Sequence, residues 1–336
     1  MGDAGERDAL WTEVVAPLLV AQDGVLTGTQ LQDRAVPLTV VRRWVSSGRL
    51  VRLRRNVLVD GEIWRAAPAW DRHLLRARAV MLGAGHGLCR EGPGGQGRDG
   101  TRAGATFALS HHSGLAVMRL SIHGTDDLAH VVGAGKSRRR GDLVRHAPVE
   151  EEHLTDAFGL PTVTPAVACV QVAGAFGIEA GLVAADSALR LKLCTREDLE
   201  ALRGWRWLGR GRPAASVVID RADRRHESAG ESRSAWLLHR LGYAVRPQVV
   251  ITDVDGTFIG RVDFQLEGEA VIIEFDGLLK YETQADLAAE KLREDRLRAM
   301  GYEVVRLVWA DLADPEAVRA KIEAARQRLR ARRRVG

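Results

Sequence analysis

The sequence predicts an α/β (α+β) protein of several domains, and three observations carry that expectation. Its 336 residues exceed what one hydrophobic core usually organises. Helical and strand-like apolar patterns are mixed along the chain. A stretch at 83–104 (GAGHGLCREGPGGQGRDGTRAG) is so glycine-rich that it reads as a flexible loop or insertion. The expected organisation is a basic helical unit at 1–65, a mixed α/β segment at 66–204, a linker at 205–226 and a sheet-and-helix domain at 227–336.

Hydrophobic residues at 46% and charged residues at 28% are those of a soluble globular protein. A net charge of +5 favours a polyanionic partner, and the clustering of the arginines says more than their sum. Cys89, Cys169 and Cys194 lie far apart with no C-x-x-C spacing, which argues for a reducing compartment and against a zinc site. The sequence has no N-terminal apolar segment of the secretory kind and no apolar run long enough for a bilayer. These features point to the cytoplasm and away from a membrane.

Residues 10–60 form the first unit. Trp11 to Ala21 has helical spacing, Thr27 caps a short helix from Gly28 to Arg34, and Pro37 precedes a third helix, Leu38 to Ser47, that stops at Gly48. RLVRLRRNVLV then alternates apolar and basic residues as a strand pair does. Three helices and a β-wing describe a winged helix-turn-helix. Arg42, Arg43, Arg49, Arg52, Arg54 and Arg55 fall on its third helix and wing, where such folds meet DNA phosphates. A solvated basic face on a protein-docking module is the alternative reading.

In the middle segment the pattern gives a helix started by Ser110, a strand at HVVGAG, an arginine-rich loop (Lys136 to Gly141) and apolar helices from Val167 to Leu193. His111 and His112 open a helix with no third ligand at metal spacing, so they read as packing and capping residues. Trp205 and Trp207, in a Gly/Arg/Pro-rich stretch, are expected to cover a domain junction.

From Glu227 on, the pattern is helix, three strands, helix, strand, helix. The elements are Glu231–Leu241, Ala244–Ile251, Phe258–Leu266, Ala270–Phe275, Gln284–Met300, Glu303–Trp309 and a last helix opened by Asp314, Pro315 and Glu316. The strand at 303–309 is apolar enough to be central. A basic tail, RLRARRR, ends the chain and suits nonspecific phosphate contact. Together these give a small mixed sheet flanked by helices.

The hairpin at 261–277 carries the chemistry. A two-residue loop at Gly268 and Glu269 sets Asp263 opposite Glu274, Phe264 opposite Ile273 and Leu266 opposite Val271. Alternation then places Val262, Phe264, Leu266, Val271, Ile273 and Phe275 on an apolar face and Asp263, Gln265, Glu274 and Asp276 on the other. Opposed Cβ atoms lie about 4.5–5.5 Å apart, where like charges are destabilising. A hard divalent cation with oxygen ligands relieves that repulsion directly. Asp263, Glu274 and Asp276 are therefore candidate metal ligands, and Lys280 supplies a cation for water or phosphate. Glu231 opens the preceding helix within reach of a second ion or a water, and Gln248 is a candidate orienting group and DNA contact. Arg293 and Arg296, three apart on the following helix, suit a nucleic-acid backbone or ion pairs with Glu290 and Glu294. The plain alternative is a wet face of an antiparallel sheet.

An acid-bearing helix followed by D-x(10)-E-x-D resembles the PD-(D/E)XK nuclease superfamily. ESRSAWLLHRLGY, RPQVVI, GRVDF, IIEFDGLLKY and EKLREDRLRAMGYEVVRL are similar, in order, to the domain related to very-short-patch-repair endonucleases, over residues 227–312. The N-terminal half resembles AbiEi-type antitoxin winged helices, although LRRNVLV replaces that family's glycine and aromatic residue. The resemblance implies a restriction-endonuclease-like fold and Mg²⁺ (or Mn²⁺)-dependent cleavage of DNA. It also implies a setting in foreign-DNA defence or a toxin–antitoxin system. Asp276 stands where the superfamily has a lysine, and Lys280 matches a base that repair-type relatives place later. A non-catalytic DNA-binding regulator or antitoxin with a degenerate nuclease fold is the competing class, and a protein partner or a homodimer stays open. A third reading takes VVITDVDGT as a haloacid-dehalogenase phosphatase motif with Asp253 as nucleophile and Asp255 as acid and base. Asp255-Gly256 between two strands is also a turn signal, and the chain after it is too short for that fold's later motifs. An EF-hand fails on its misplaced glycine and terminal glutamate.

Overall fold

The computed structural model describes residues 2–84, 107–277 and 284–335. The architecture is a multidomain α+β fold, with three separate sheets among the described residues. Its contacts divide the chain into two compact units: residues 1–184 with 194–219, and residues 185–193 with 220–336. Residues 85–104 of the glycine-rich stretch, Cys89 and Lys280 lie outside the described residues.

The first unit begins with α1 (Gly2–Leu10), a π-helical turn (Trp11–Val15) and α2 (Ala16–Ala21). Next come β1 (Val25–Thr27), α3 (Gly28–Asp33), α4 (Leu38–Ser46), β2 (Leu50–Arg54) and β3 (Val57–Asp60). Thr27 starts α3 through a capping box, its Oγ1 accepting the Gln30 N–H at 3.0 Å while Gln30 Oε1 accepts the Thr27 N–H at 2.8 Å. A helix, a strand, two helices and two strands, with sheet order β1-β3-β2, is the winged-helix order. Val15, Leu26, Leu31, Trp44, Leu50 and Leu58 form its core.

The unit continues through α5 (Gly61–Ala66), α6 (Ala69–Gly83), β4 (Phe107–Leu109), α7 (His111–Val117), β5 (Ala129–Gly133), β6 (Arg138–Arg140), β7 (Leu143–His146), β8 (Leu154–Ala157), β9 (Leu160–Val163) and α8 (Pro165–Phe176). The strands make one mixed sheet in the order β6-β7-β5-β4-β9-β8. The arginine stretch expected as a loop is strand β6. Its residues 138–140 pair antiparallel with β7 at the exposed edge, where a polar strand needs no apolar face. The boundary between the units falls within α9 (Ile178–Arg190), which α10 (Arg196–Ala201) follows. Residues 206–211 form a 3₁₀ segment and α11 (Arg212–Arg221) buries Ala215, Val218 and Ile219, so much of 205–226 is helical. The Trp205 and Trp207 indole N–H groups both donate to Glu150 within the first unit.

The second unit contains α12 (Ala229–Arg240), β10 (Val245–Thr252), β11 (Phe258–Leu266), β12 (Val271–Phe275), α13 (Gln284–Ala299), β13 (Glu303–Leu307) and α14 (Pro315–Val335). Strand order is β10-β11-β12-β13, with the first two pairings antiparallel and the last parallel. The strand expected to be central, β13, is therefore an edge strand. It is apolar because α13 and α14 cover it. Leu238, Phe264, Val271, Ile273 and Leu307 pack with Val318 and Ile322 of α14. Ile272 packs with Leu297 of α13 in a second cluster, and Val262 belongs to that cluster rather than to the Phe264 group. The basic C-terminal stretch is helical, and Arg328 and Arg332 pair with Glu303. Among the described residues, no helix is long and apolar enough to cross a membrane.

Candidate active site

The β11–β12 register brings the acids together. Phe264 pairs with Ile273 and Gln265 with Ile272, so Asp263 falls opposite Glu274 as the sequence spacing requires. The turn differs in type. Its hydrogen bond runs from the Glu269 N–H to the Leu266 carbonyl at 3.2 Å, and Gly268 supplies the left-handed residue at φ 72°. The connection is thus four residues, 267–270, and it preserves the same pairing.

One cleft of about 460 Å³ takes in Asp263, Glu274 and Asp276 with Arg261, Arg293 and Arg306. This is not an open wet face, because α13 lies over it and delivers Arg293 to Glu274 at 2.7 Å. Asp263 Oδ2 accepts the Phe275 N–H at 2.8 Å. Burial pushes the Asp263 carboxyl from 3.8 up to about 6. The charges of Glu231 and Glu274 add to that rise, while the Phe275 N–H and Arg293 oppose it.

Glu231 is buried in the first turn of α12, where Ser228 caps the helix by accepting its N–H at 3.1 Å. Its carboxylate accepts the Glu227 N–H at 2.9 Å and the Gln248 amide at 2.8 Å. Gly230 seats this turn against the ring of Phe275, since a Cβ there would lie 1.9 Å from the ring. Gln248 has φ 54° and turns its side chain to Glu231, so the nucleic-acid contact expected of it gives way to an internal one.

Arg293 is likewise committed to Glu274, and Arg296 is exposed on α13. On the first unit, Arg42, Arg43, Arg52 and Arg55 are exposed. Arg49 lies over the Trp11 ring at 4.0 Å and pairs with Asp8 at 2.8 Å, while Arg54 lies 3.5 Å from Asp142. These partners draw two of the six arginines away from a shared DNA face. At 253–257 the chain is an exposed turn: the Gly256 N–H meets the Asp253 carbonyl at 3.0 Å and Asp255 caps the Thr257 N–H at 2.9 Å.

Sequence reasoning missed two groups. Arg261 and Arg306 line the acid cleft from strand positions inside the motifs GRVDF and EKLREDRLRAMGYEVVRL, where no site role was read for them. His111 gains two histidine neighbours, His130 and His146, from strands distant in sequence. The histidine in HVVGAG and the one closing LVRH were the only signals. Burial and the neighbouring histidines depress His111 well below its ordinary value, and burial with His130 takes His146 to about 4.

No family model matches the chain. Two relatives from Mycobacterium tuberculosis carry the descriptions uncharacterized protein MT2308 (strain CDC 1551 / Oshkosh) and uncharacterized protein Rv2248 (strain ATCC 25618 / H37Rv). Each is 28% identical over 165 residues, a match that takes in 49% of this chain and 61% of the relative. The chain therefore spans about three-fifths of the length of these curated relatives.

Proposed function

We propose that the chain is a divalent-metal-dependent endodeoxyribonuclease of the cytoplasm, acting in foreign-DNA defence or a toxin–antitoxin-type system. One observation carries the reading. Three carboxylates from one hairpin share a cleft with three arginines, and one of the acids is held unusually basic by burial and by its acidic neighbours. The resemblance of residues 227–312 to PD-(D/E)XK nucleases agrees with it. The basic winged-helix module adds affinity for DNA through its exposed arginines.

The donor set fits a hard cation. It offers carboxylate oxygens alone, and the charges of Glu231 and Glu274 add to the burial that raises Asp263. Asp263, Glu274 and Asp276 would hold Mg²⁺ or Mn²⁺. When bound, the ion supplies Lewis-acid neutralisation of charge at the scissile phosphate. Asp263 would meet the ion as its carboxylate. Arg261, half-exposed and paired with Glu227 at 2.7 Å, stands at the cleft to meet phosphate oxygens, and Glu231 holds the negative charge behind Asp263. Lys280, from the family pattern, is assigned the cation beside the attacking water.

A second reading has its own observations: Asp276 in place of the superfamily lysine, and the Arg293 guanidinium already closed on Glu274. Both suit a DNA-binding regulator that has lost cleavage. Purified chain incubated with supercoiled plasmid and Mg²⁺ or Mn²⁺ separates the two. Nicking that requires metal and disappears in Asp263→Asn and Glu274→Gln supports the nuclease. Retarded but uncut plasmid at every metal concentration rejects it in favour of the regulator.

A further inference from the structure

We propose that His111, His130 and His146 form a binding site for a borderline divalent transition ion, Zn²⁺ foremost, in the first unit of the chain. The site is independent of the carboxylate cleft and of the nuclease reading. The fold builds it from three adjacent strands. His146 ends β7, His130 lies on β5, and His111 stands two residues past the end of β4, in the sheet order β7-β5-β4. In the parallel β5–β7 ladder His146 lies across from Val132, two residues from His130. Alternation therefore turns both imidazoles to the same face. His111 joins them by adopting a left-handed backbone, φ 50°, at the first position of α7. A non-glycine residue reaches that region only when its surroundings impose it, and such residues gather at functional sites.

The donor atoms are close to coordination distance. One ring nitrogen from each histidine lies within 4.8 Å of the others, and His130 Nδ1 stands 2.9 Å from His146 Nε2. Zinc–nitrogen bonds of about 2.0–2.1 Å in a tetrahedron put ligand nitrogens about 3.3 Å apart. Small ring rotations cover the difference. Behind the set, the second nitrogen of His130, Nε2, meets both oxygens of Asp126 at 3.1 and 3.3 Å. A carboxylate on the far nitrogen of a metal-ligating histidine fixes the tautomer that presents a lone pair to the ion.

Nitrogen donors select the metal class. Imidazole suits Zn²⁺, Co²⁺ or Ni²⁺, whereas Mg²⁺ and Ca²⁺ need oxygen ligands. The absence of paired cysteines thus bears on cysteine zinc sites and not on this one. His111 and His146 also line a cleft of about 220 Å³ with Gln171, Trp205 and Trp207. Three protein ligands with a fourth position open to such a cleft is the arrangement that leaves room for water or a small anion.

The test uses the full chain, stripped by chelator and titrated with Zn²⁺ against a chromophoric competitor, then with Co²⁺ while visible absorption is recorded. The expected result is one equivalent bound with sub-micromolar affinity and Co²⁺ ligand-field bands in both wild type and Asp263→Asn. His130→Ala and His146→Ala should lose the equivalent and the bands. Asp126 is exposed at the surface, so Asp126→Asn should fold normally and weaken binding about 10–100-fold. Circular dichroism checks the fold of every variant, and if the histidine variants do not fold, Asp126→Asn alone decides. Absence of a sub-micromolar equivalent overturns the site. So does binding unchanged in folded His130→Ala or in Asp126→Asn.

Discussion

Arg293 Nη2 donates to Glu274 Oε1 at 2.7 Å, joining α13 to the end of β12, with the two side chains only 24% and 13% exposed. The guanidinium thus offsets, within the fold, part of the charge that the paired acids create. A metal ion entering the cleft has to share Glu274 with it.

Replacing this arginine should therefore act in two directions. Arg293→Gln leaves a largely buried carboxylate with a weaker partner, and metal-free stability should fall by about 2–4 kcal/mol in urea unfolding. The same change removes a competing cation, so half-maximal stabilisation by Mn²⁺ in thermal melts should need several-fold less metal. Equal metal dependence in variant and wild type would sink the idea that Arg293 and the ion share Glu274.

Asp263 should imprint a pH dependence on folding. Its folded value of about 6 exceeds the unfolded 3.8, so in this window the native state binds the proton more tightly. The contribution to stability is present below pH 3.8 and is lost as pH rises through about 6. Asp263→Asn should thus be more stable than wild type at neutral pH by on the order of 1–3 kcal/mol, with the gap closing towards the acid end of that window. Chemical denaturation across the window checks the sign.

The same sign is expected at His226, whose Nδ1 lies 2.7 Å from Asp186. Burial works against the imidazolium, but the hydrogen bond and charge of Asp186, with Asp223 and Glu231, outweigh it and raise the value above 6.5. Stability from this pair is full below 6.5 and is lost as pH rises through the folded value. Asp186→Asn should cost about 1.5–3 kcal/mol on the acid side of that range and less above it. A pH-independent cost would show that the imidazole is neutral in the fold.

Gly230→Ala tests how α12 is seated. The new Cβ would meet the Phe275 ring at 1.9–2.5 Å, and that ring is backed by Trp309 at 4.7 Å between centroids. Overpacking of this kind costs about 1–3 kcal/mol. Glu231, the next residue, should move with the helix turn, reducing nicking. Phe275→Leu in the same chain should restore part of both, and failure of that rescue would place the effect elsewhere.

Local signals made much of the fold legible. The Thr27 cap, the turn at Asp255-Gly256 and the spacing that pairs Phe264 with Ile273 are each set by residues a few positions apart. The spacing of D-x(10)-E-x-D was enough to locate Asp263, Glu274 and Asp276 on one side of a hairpin. What escaped depends on distant chain. The strand at Arg138–Arg140 exists because β7 pairs with it, and an edge strand carries no apolar alternation to announce itself. The apolar run of β13 reads as central whether its cover is a strand or, as here, two helices. Gln248 leaves its expected direction through a left-handed residue that no glycine marks. His130 and His146 meet His111 only through sheet order, which residue spacing does not encode.

The Phe275 N–H gives its hydrogen bond to the Asp263 carboxylate instead of to a strand carbonyl. The acid therefore acts as the stop of a zipper, because the β11–β12 pairing ends where the charged groups begin. Alanine at 263 would remove an acceptor as well as a charge and let β12 fray from that end, whereas asparagine keeps an oxygen for the amide. Loss of cutting in an alanine variant would thus confound fraying with lost charge, and the asparagine variant separates them.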